Sequence, residues 1–399
     1  MRSITLWSAI SAAIVSASEL KTAPDDLQVP SPWKVGKCAR EYCNFANPTI
    51  GDGLVLISTP GNVDILNSFS ALTKNANSKP PPFEVREIPG KGIGLIANRT
   101  IQRGEVVMQY TPTLVIQFGP HLDLPASDRE AFYQDAVEQL PTARRNTFMA
   151  QYGKDIYTKI DRNAFRMFIN GQNPYSGHLG AFPEVSRLNH DCRPNLNSRI
   201  ENITHTTTAV RPISVGEELT ISYIDGLLPL HSRQERLQDW GFNCTCSLCS
   251  SSSEEVAASD ARIQAIRDLE EELDKAVGGG DLTTEMGERL VKLFKEERLE
   301  TYIGHAYTKA ALIYAMFGVG EKAREYASLA ADAMAMELGE SAGDVVAMRE
   351  LAESPQRHWA WEIRKPKGEE ENEKIRKEQE KREEQARKEQ EREGVKDEL

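Results

Sequence analysis

The stretch RLNHDCRPN at residues 187–195 decides how this chain is to be interpreted. It places Asn189 and His190 in a polar turn that Pro194 closes, and a helix cap or an Asx turn would account for the same pattern. A lone histidine of this kind is more often structural than catalytic. Three further stretches give it a context, namely GKGIG at residues 90–94, GEELTISY at residues 216–223 and CTCSLC at residues 244–249.

The glycine-rich stretch lies between two runs that are typical of β-strands. Glycine allows the backbone to adopt a positive φ and to approach a ligand closely. A hairpin turn needs the same freedom, so the residues alone leave both a turn and a ligand cradle open.

Tyr223 follows a predicted strand at residues 219–221. An aromatic residue at the end of a strand is commonly a half-buried packing residue. The residues alone therefore do not distinguish packing from chemistry at this position.

The cysteines of the last stretch have C-x-C-x-x-C spacing, as Cys244, Cys246 and Cys249. Three thiolates this close together can face one tetrahedral ion, and a structural zinc site needs a fourth ligand. Disulfides among these cysteines are the alternative if the compartment is oxidising.

Taken in order, the four stretches resemble the SET-domain protein lysine methyltransferases, and in particular SMYD-like members. The MYND finger of those members is absent, because no cysteine lies between Cys43 and Cys192. The resemblance implies an α+β fold, in which a β-rich pseudoknotted SET domain with a post-SET zinc site precedes an α-helical C-terminal region. In the pseudoknot, residues 187–195 thread through a loop of the following chain, and a buried Asn195 ties them in place.

The same resemblance implies that S-adenosyl-L-methionine binds along the glycine-rich backbone and beside the Asn-His turn, and that aromatic residues cover it. Phe165 of the Asn-Ala-Phe segment either lines the lysine channel or is a core aromatic residue. The cofactor-binding residues that the resemblance implies are Lys91, Gly92, Ile93, Gly94, Asn189, His190, Tyr223, Trp240 and Phe242.

Tyr223 matches the catalytic tyrosine of the family. Methyl transfer from a sulfonium to an amine is an in-line displacement, so the lysine amine must be neutral although its ordinary pKa is about 10.4. A narrow apolar channel and a nearby sulfonium both disfavour the ammonium form. A tyrosine hydroxyl and backbone carbonyls then orient the amine lone pair toward the methyl carbon.

The resemblance also supplies the fourth ligand of a structural Zn²⁺ site. In SMYD-like proteins it is the cysteine of the Asn-His-x-Cys turn, which makes the expected set Cys192, Cys244, Cys246 and Cys249. Such a site would pin the post-SET segment over the active site.

The chain has 399 residues and a formal net charge of −12, which disfavours nonspecific binding to nucleic acid. The expected partner is a protein substrate with an exposed lysine. The sequence indicates no membrane span after signal cleavage, and it leaves the oligomeric state open.

Both ends of the chain carry targeting patterns. Residues 1–17 read as a signal peptide, with an apolar N-terminal segment as the alternative, and residues 396–399 are the retention signal KDEL. Together they predict the lumen of the endoplasmic reticulum, with nucleus or cytoplasm as the alternative. In an oxidising lumen, Cys38 and Cys43 form a disulfide or remain two unrelated thiols.

Composition and periodicity predict the organisation of the chain. Residues 127–169 are predicted to be mainly helical, and strands are predicted around residue 200, at 206–210 and at 218–223. The expected segments are a signal peptide (1–17), an N-terminal region of loops with a few strands (18–81), the SET domain (82–224), a post-SET zinc segment (225–253), a helical region (254–365) and a charged tail (366–399).

The sequence therefore predicts an S-adenosyl-L-methionine-dependent protein lysine N-methyltransferase. The alternative is a catalytically inactive SET fold that serves as an interaction scaffold. The joint presence of Asn189, His190 and Tyr223 favours the enzyme.

Overall fold

The structure is a computed structural model that describes residues 20–69, 80–169, 177–277, 279–364 and 377. The predicted signal peptide and the KDEL signal lie outside the described residues. The chain divides into two compact units. The first runs to Ile263 and includes Arg298–Thr301 and Ala335–Glu340, and the second takes Gln264–Glu297, Tyr302–Met334 and the described residues from Ser341.

The strands all lie in the first unit, and we number them in chain order. They are β1 (Leu20–Thr22), β2 (Lys34–Ala39), β3 (Tyr42–Asn47), β4 (Leu54–Ser58), β5 (Phe83–Ile88), β6 (Gly92–Ala97), β7 (Val106–Tyr110), β8 (Leu114–Gln117), β9 (Ala164–Phe168), β10 (Gly177–Ala181), β11 (Asn189–His190), β12 (Leu196–Glu201), β13 (Thr204–Ala209) and β14 (Glu218–Ile221).

Within the described ranges these strands form three sheets. The largest has the order β1-β2-β3-β4-β8-β10-β9, and its β4–β8 pair is parallel. Every residue of β4 is buried, as expected for a central strand that is covered on both faces. The other two sheets have the orders β11-β14-β6-β5 and β12-β13-β7.

The helices are numbered in the same way. They are α1 (Gly61–Ser68), α2 (Phe118–Asp123), α3 (Ala126–Glu138), α4 (Thr142–Met149), α5 (Ile156–Asn163), α6 (Leu230–Leu237), α7 (Ser253–Val277), α8 (Thr284–Glu296), α9 (Ile303–Met316), α10 (Gly320–Leu338) and α11 (Gly343–Glu353). The α+β class and the α-helical C-terminal region are confirmed.

Proline marks four of the helix starts. The residues directly before α1, α3, α4 and α6 are Pro60, Pro125, Pro141 and Pro229. The fixed φ of proline suits the entry to a helix, where its missing N–H is not needed. The start of α5 is stabilised differently, because the Asp155 side chain accepts a hydrogen bond from the backbone N–H of Thr158 over 2.7 Å.

The helical interpretation of residues 127–169 was wrong at its C-terminal end. Residues 164–168 form β9, which pairs antiparallel with β10. Met167 of this strand is buried while Arg166 is exposed, so the alternation of a strand is present over too few residues to outweigh the preceding helical pattern. The N-terminal region also contains more order than predicted, because α1 follows β4 there.

Cys38 and Cys43 are joined by a disulfide across the β2–β3 hairpin. The two residues are directly paired in the antiparallel register, which brings their side chains to the same face. The sequence alone had left this pairing open.

The core of the first unit has two main apolar clusters. One includes Phe45, Leu56 and Phe182, and the partly buried Phe165 and Tyr223 pack against it. The other joins α3 to the large sheet through residues such as Phe132. Over the described residues, no helix combines the length and the apolar character that crossing a bilayer requires.

Candidate functional site

A short parallel pairing brings the Asn-His turn beside the end of β14. Asn189 is in register with Thr220, and His190 with Ile221. Residues 187–195 and 216–223, which the sequence singled out separately, therefore form one structure. The threading implied by the family resemblance stays a prediction.

Asn195 fixes residues 187–195 against β14 by hydrogen bonds, and it is almost fully buried, with 1% of its surface exposed. Its side-chain Nδ2 donates to the carbonyl of Glu218 over 2.8 Å, and its Oδ1 accepts from the backbone N–H of Thr220 over 2.9 Å. One amide thus satisfies two backbone groups of β14, which buried polar groups require.

The glycine-rich stretch forms the turn of the β5–β6 hairpin. Gly90 and Gly92 have φ of 76° and 77°, a conformation that favours glycine. Gly94 is required for close packing instead, because a Cβ on it would lie 2.2 Å from the Ile88 side chain and 2.8 Å from Asn189 Nδ2. The hairpin and the Asn-His turn are therefore in direct contact.

Glu218 joins the two halves of the predicted cofactor region. Its carboxylate accepts from Lys91 Nζ over 2.7 Å and from Asn189 Nδ2 over 2.9 Å. Burial lowers the pKa of Lys91, but the hydrogen bond and charge of Glu218 more than offset this, so the pKa lies above its ordinary value. The sequence interpretation missed this role of Glu218, whose only signal was a second acidic residue after Glu217 at the start of a strand.

Tyr223 lies just beyond β14 with its side chain enclosed by aromatic rings. Ring centroids of His190, Trp240 and Phe242 lie 5.4, 5.6 and 6.3 Å from its own. The Tyr223 hydroxyl donates to the carbonyl of Leu188 over 2.7 Å. Burial raises the pKa of Tyr223, so its hydroxyl stays protonated and able to donate at neutral pH.

The hydrogen bonds of His190 define which ring nitrogen carries the proton. Nδ1 accepts from the backbone N–H of Tyr223 over 3.0 Å, so the hydrogen of the neutral ring resides on Nε2. Nε2 lies 3.3 Å from Cys192 Sγ and donates to it. Burial lowers the pKa of His190 to about 4, which keeps the ring neutral at physiological pH. His190 thereby connects the backbone of Tyr223 to a cysteine of the predicted metal set.

The four cysteines of that set form one cluster. Their sulfur atoms all lie within 4.8 Å of one another, and Cys192 Sγ is 3.5 Å from Cys249 Sγ and 4.0 Å from Cys244 Sγ. All four are free thiols. Gln234 of α6 positions the first of the C-terminal trio, because its side chain accepts from the N–H of Cys244 and donates to the Cys244 carbonyl.

The donor set fits a structural zinc ion. Tetrahedral Zn–S bonds of about 2.3 Å separate the sulfur atoms by about 3.8 Å, which matches the spacing in the cluster. Hydrogen bonds among the four sulfur atoms lower the pKa of Cys246 and Cys249, while the pKa of Cys192 and that of Cys244 are raised, as expected when neighbouring thiols share protons. The cysteines lie in one buried cluster with Leu237 and Leu248, against which Trp240 and Phe242 pack. A metal here would hold these two aromatic residues against Tyr223.

Phe165 both packs against the core and lines a cavity. Its ring packs edge-on against Phe182 and His205, with centroids 5.9 and 4.6 Å away, and it is partly buried against the core cluster. It also lines a cavity between β9 and β12. Of the other predicted residues, Ile93 is 51% exposed on the hairpin.

Parts of this chain are similar in sequence to known proteins. Residues 92–224 match the SET domain. The histone-lysine N-methyltransferase set5 of Schizosaccharomyces pombe is 30% identical over 197 residues, which cover 47% of this chain and 54% of that protein. The N-lysine methyltransferase SMYD2-A of Danio rerio is 39% identical over 127 residues, covering 31% of this chain and 28% of that protein. The histone-lysine N-methyltransferase SMYD3 of Homo sapiens is 32% identical over 122 residues, covering 30% and 28%. The chain thus spans about half, or less, of the curated relatives it matches.

Proposed function

We propose that this chain, which carries a SET domain at residues 92–224, is an S-adenosyl-L-methionine-dependent protein lysine N-methyltransferase. The observation that carries the proposal is the enclosed Tyr223 hydroxyl, bound to the Leu188 carbonyl and positioned by His190. The names of the relatives support the same activity. The substrate class is a protein with an accessible lysine.

The residues of the site can perform the steps that methyl transfer requires. When bound, S-adenosyl-L-methionine supplies a sulfonium methyl group that a neutral amine can displace. The Tyr223 hydroxyl oxygen and the Leu188 carbonyl lie side by side as acceptors. N–H donation from the lysine amine to them would orient the amine and leave its lone pair free for the methyl carbon. The rings of Trp240 and Phe242 exclude water around Tyr223 and disfavour an ammonium ion there.

The donor of the methyl group would be held on the other side of the site. Asn189 presents an amide that Glu218 and the Ile93 carbonyl orient, and the positive-φ turn at Gly92 exposes backbone next to it. Lys91 adds a positive charge that suits a carboxylate of the methyl donor. Cys192, Cys244, Cys246 and Cys249 would hold Zn²⁺ in a purely structural role.

A cofactor titration tests the proposal and separates it from an inactive scaffold. We expect the purified full-length chain to bind S-adenosyl-L-methionine, and Asn189→Ala to weaken that binding by about tenfold, since one oriented hydrogen bond is lost. Isothermal titration calorimetry measures both constants, with Asn146→Ala as the control because Asn146 lies on α4, outside the site. Absence of binding in the native chain would favour the scaffold.

We further propose the endoplasmic reticulum lumen as the compartment, on the patterns at residues 1–17 and 396–399. The Cys38–Cys43 disulfide supports an oxidising environment. Deleting residues 396–399 is expected to release the protein into the culture medium, as measured by immunoblot against an unaltered control. Nuclear or cytosolic fluorescence of the tagged full chain, with an N-terminus at Met1, would instead favour the conventional compartments.

A further inference from the structure

A cavity of about 370 Å³ lies between two terminal strands of different sheets. Its walls come from β9, which ends the large sheet, and from β12, which ends the three-stranded sheet, with His205 of β13 behind them. Strands at the end of a sheet have backbone groups with no partner strand on one side, and an extended polypeptide can pair with such groups.

Two arginines line this cavity without a carboxylate partner. Arg166 of β9 is exposed, and its guanidinium lies over the rings of Phe168 and Phe118 at 5.2 and 5.7 Å. Arg199 of β12 donates from Nη1 to the Met336 carbonyl over 3.3 Å, while its Nε is buried and has no hydrogen-bond partner. Over the described residues, neither arginine forms an ion pair. The Glu201 carboxylate lies nearby, since a Cβ on Gly339 would be 3.2 Å from Glu201 Oε2 and 3.4 Å from Arg199 Nε, but it does not line the cavity.

His205 adds a buried polar side chain to the lining of the same cavity. The residue is 1% exposed, and its Nδ1 has no hydrogen-bond partner. Burial, aided by the charge of Arg199, lowers the pKa of His205 to about 3, so the ring is neutral and adds no charge. A buried polar atom without a partner is costly, which points to a ligand that reaches it. Phe165 packs edge-on against this ring and supplies an apolar wall.

The cavity is connected to the proposed catalytic site through packed residues. The ring of Phe165 contacts Phe182, and the Phe182 carbonyl accepts hydrogen bonds from the turn that leads to Leu188. The Leu188 carbonyl in turn accepts from the Tyr223 hydroxyl. Phe165 and Tyr223 pack against the same buried cluster.

From these observations we propose that the cavity is a specificity subsite that takes the carboxylate side chain of an aspartate or glutamate near the target lysine. The inference rests on the proposed function, because that function makes the occupant a polypeptide. A guanidinium pairs with a carboxylate in a bidentate geometry, and Arg166 and Arg199 offer two such groups. Phe165 accommodates the methylene groups, and the backbone edges of β9 and β12 accommodate an extended chain.

Peptide binding tests the subsite without requiring turnover. Short fluorescent peptides carry one central lysine in an alanine and serine background, and a single glutamate is moved through the flanking positions, with glutamine at the same position as its control. Binding to the full chain is measured by fluorescence anisotropy in the presence of S-adenosylhomocysteine. At one or two positions we expect glutamate to bind about tenfold more tightly than glutamine, as a charge-assisted hydrogen bond implies.

Variants assign the preference to the cavity. Arg199→Gln is expected to abolish it, and Arg166→Gln, at an exposed position that does not endanger folding, to reduce it. Arg103→Gln, an exposed arginine outside the cavity, should leave it unchanged. Equal affinity for glutamate and glutamine peptides at every position, or a preference that survives both variants, would overturn the subsite.

The two proposals fail in different ways. A glutamate preference without methyl transfer to any peptide would support the subsite and contradict the proposed methyltransferase activity. Methyl transfer at the same rate to glutamate and glutamine peptides would support the proposed methyltransferase activity and contradict the subsite.

Discussion

Tyr223→Phe is expected to keep S-adenosyl-L-methionine binding within about twofold while lowering the single-turnover rate of methyl transfer by a hundredfold or more. The hydroxyl that is lost donates to the Leu188 carbonyl and acts on the amine. The polar cofactor contacts are predicted from Asn189 and the β5–β6 turn, and the Tyr223 ring, which is also predicted to contact the cofactor, stays in the variant. Groups that position a reacting atom commonly contribute several kcal/mol at the barrier. The measurement is rapid-quench transfer of a radiolabelled methyl group at saturating donor.

Two comparisons make this result specific. Tyr152→Phe, at a tyrosine that is 76% exposed, should keep the native rate. The hydroxyl removed from Tyr223 leaves the aromatic packing with Trp240 and Phe242 in place, so the variant should unfold at the same urea concentration as the native chain to within the effect of one hydrogen bond. An unchanged single-turnover rate would remove Tyr223 from the mechanism.

Cys246→Ser is expected to release the bound zinc and to destabilise the first unit by several kcal/mol. Structural zinc contributes directly to folding, and Ser at one of four thiolate positions leaves an incomplete tetrahedral set. Because Trp240 and Phe242 pack on the cysteine cluster, we also expect weaker cofactor binding in this variant. Elemental analysis of protein purified without chelator should give one zinc per native chain and much less in the variant.

The Cys38–Cys43 disulfide provides the control. Replacing Cys38 and Cys43 together by serine removes the hairpin disulfide and should leave the metal content unchanged, because neither sulfur belongs to the cluster. A native chain without zinc, in which the four cysteines resist alkylation until they are reduced, would show that disulfides take the place of the metal site.

The parts of the site that are contiguous in sequence could be predicted, and those that depend on register could not. The spacing of Cys244, Cys246 and Cys249 indicated a cluster without any structure. Cys192, which precedes the first of them by 52 positions, was added only through the family resemblance. Glu218 was missed because its contacts with Lys91 and Asn189 arise from strand pairing between distant segments. Composition carries no trace of such a pairing.

The fold shows the same division. The helical region after residue 253 was predictable because long amphipathic helices repeat their pattern over several turns. The short strand β9 was taken as helix, since five residues after α5 give too little alternation to be recognised and their place is decided by pairing with β10. The protonation of His190 on Nε2 could not be predicted from the sequence either, because it follows from a hydrogen bond with the N–H of Tyr223, 33 positions away.

Mass spectrometry of a protein substrate after incubation with the native chain and deuterated S-adenosyl-L-methionine tests the central claim most directly. We predict labelled methyl groups on lysine side chains, formed by the native chain and by Tyr152→Phe at equal rates and nearly absent with Tyr223→Phe. Label that appears equally with native chain and Tyr223→Phe would contradict the assigned role of the tyrosine. Absence of labelled lysine across a full cellular protein extract, with the cofactor bound and the zinc site filled, would contradict lysine methyl transfer itself.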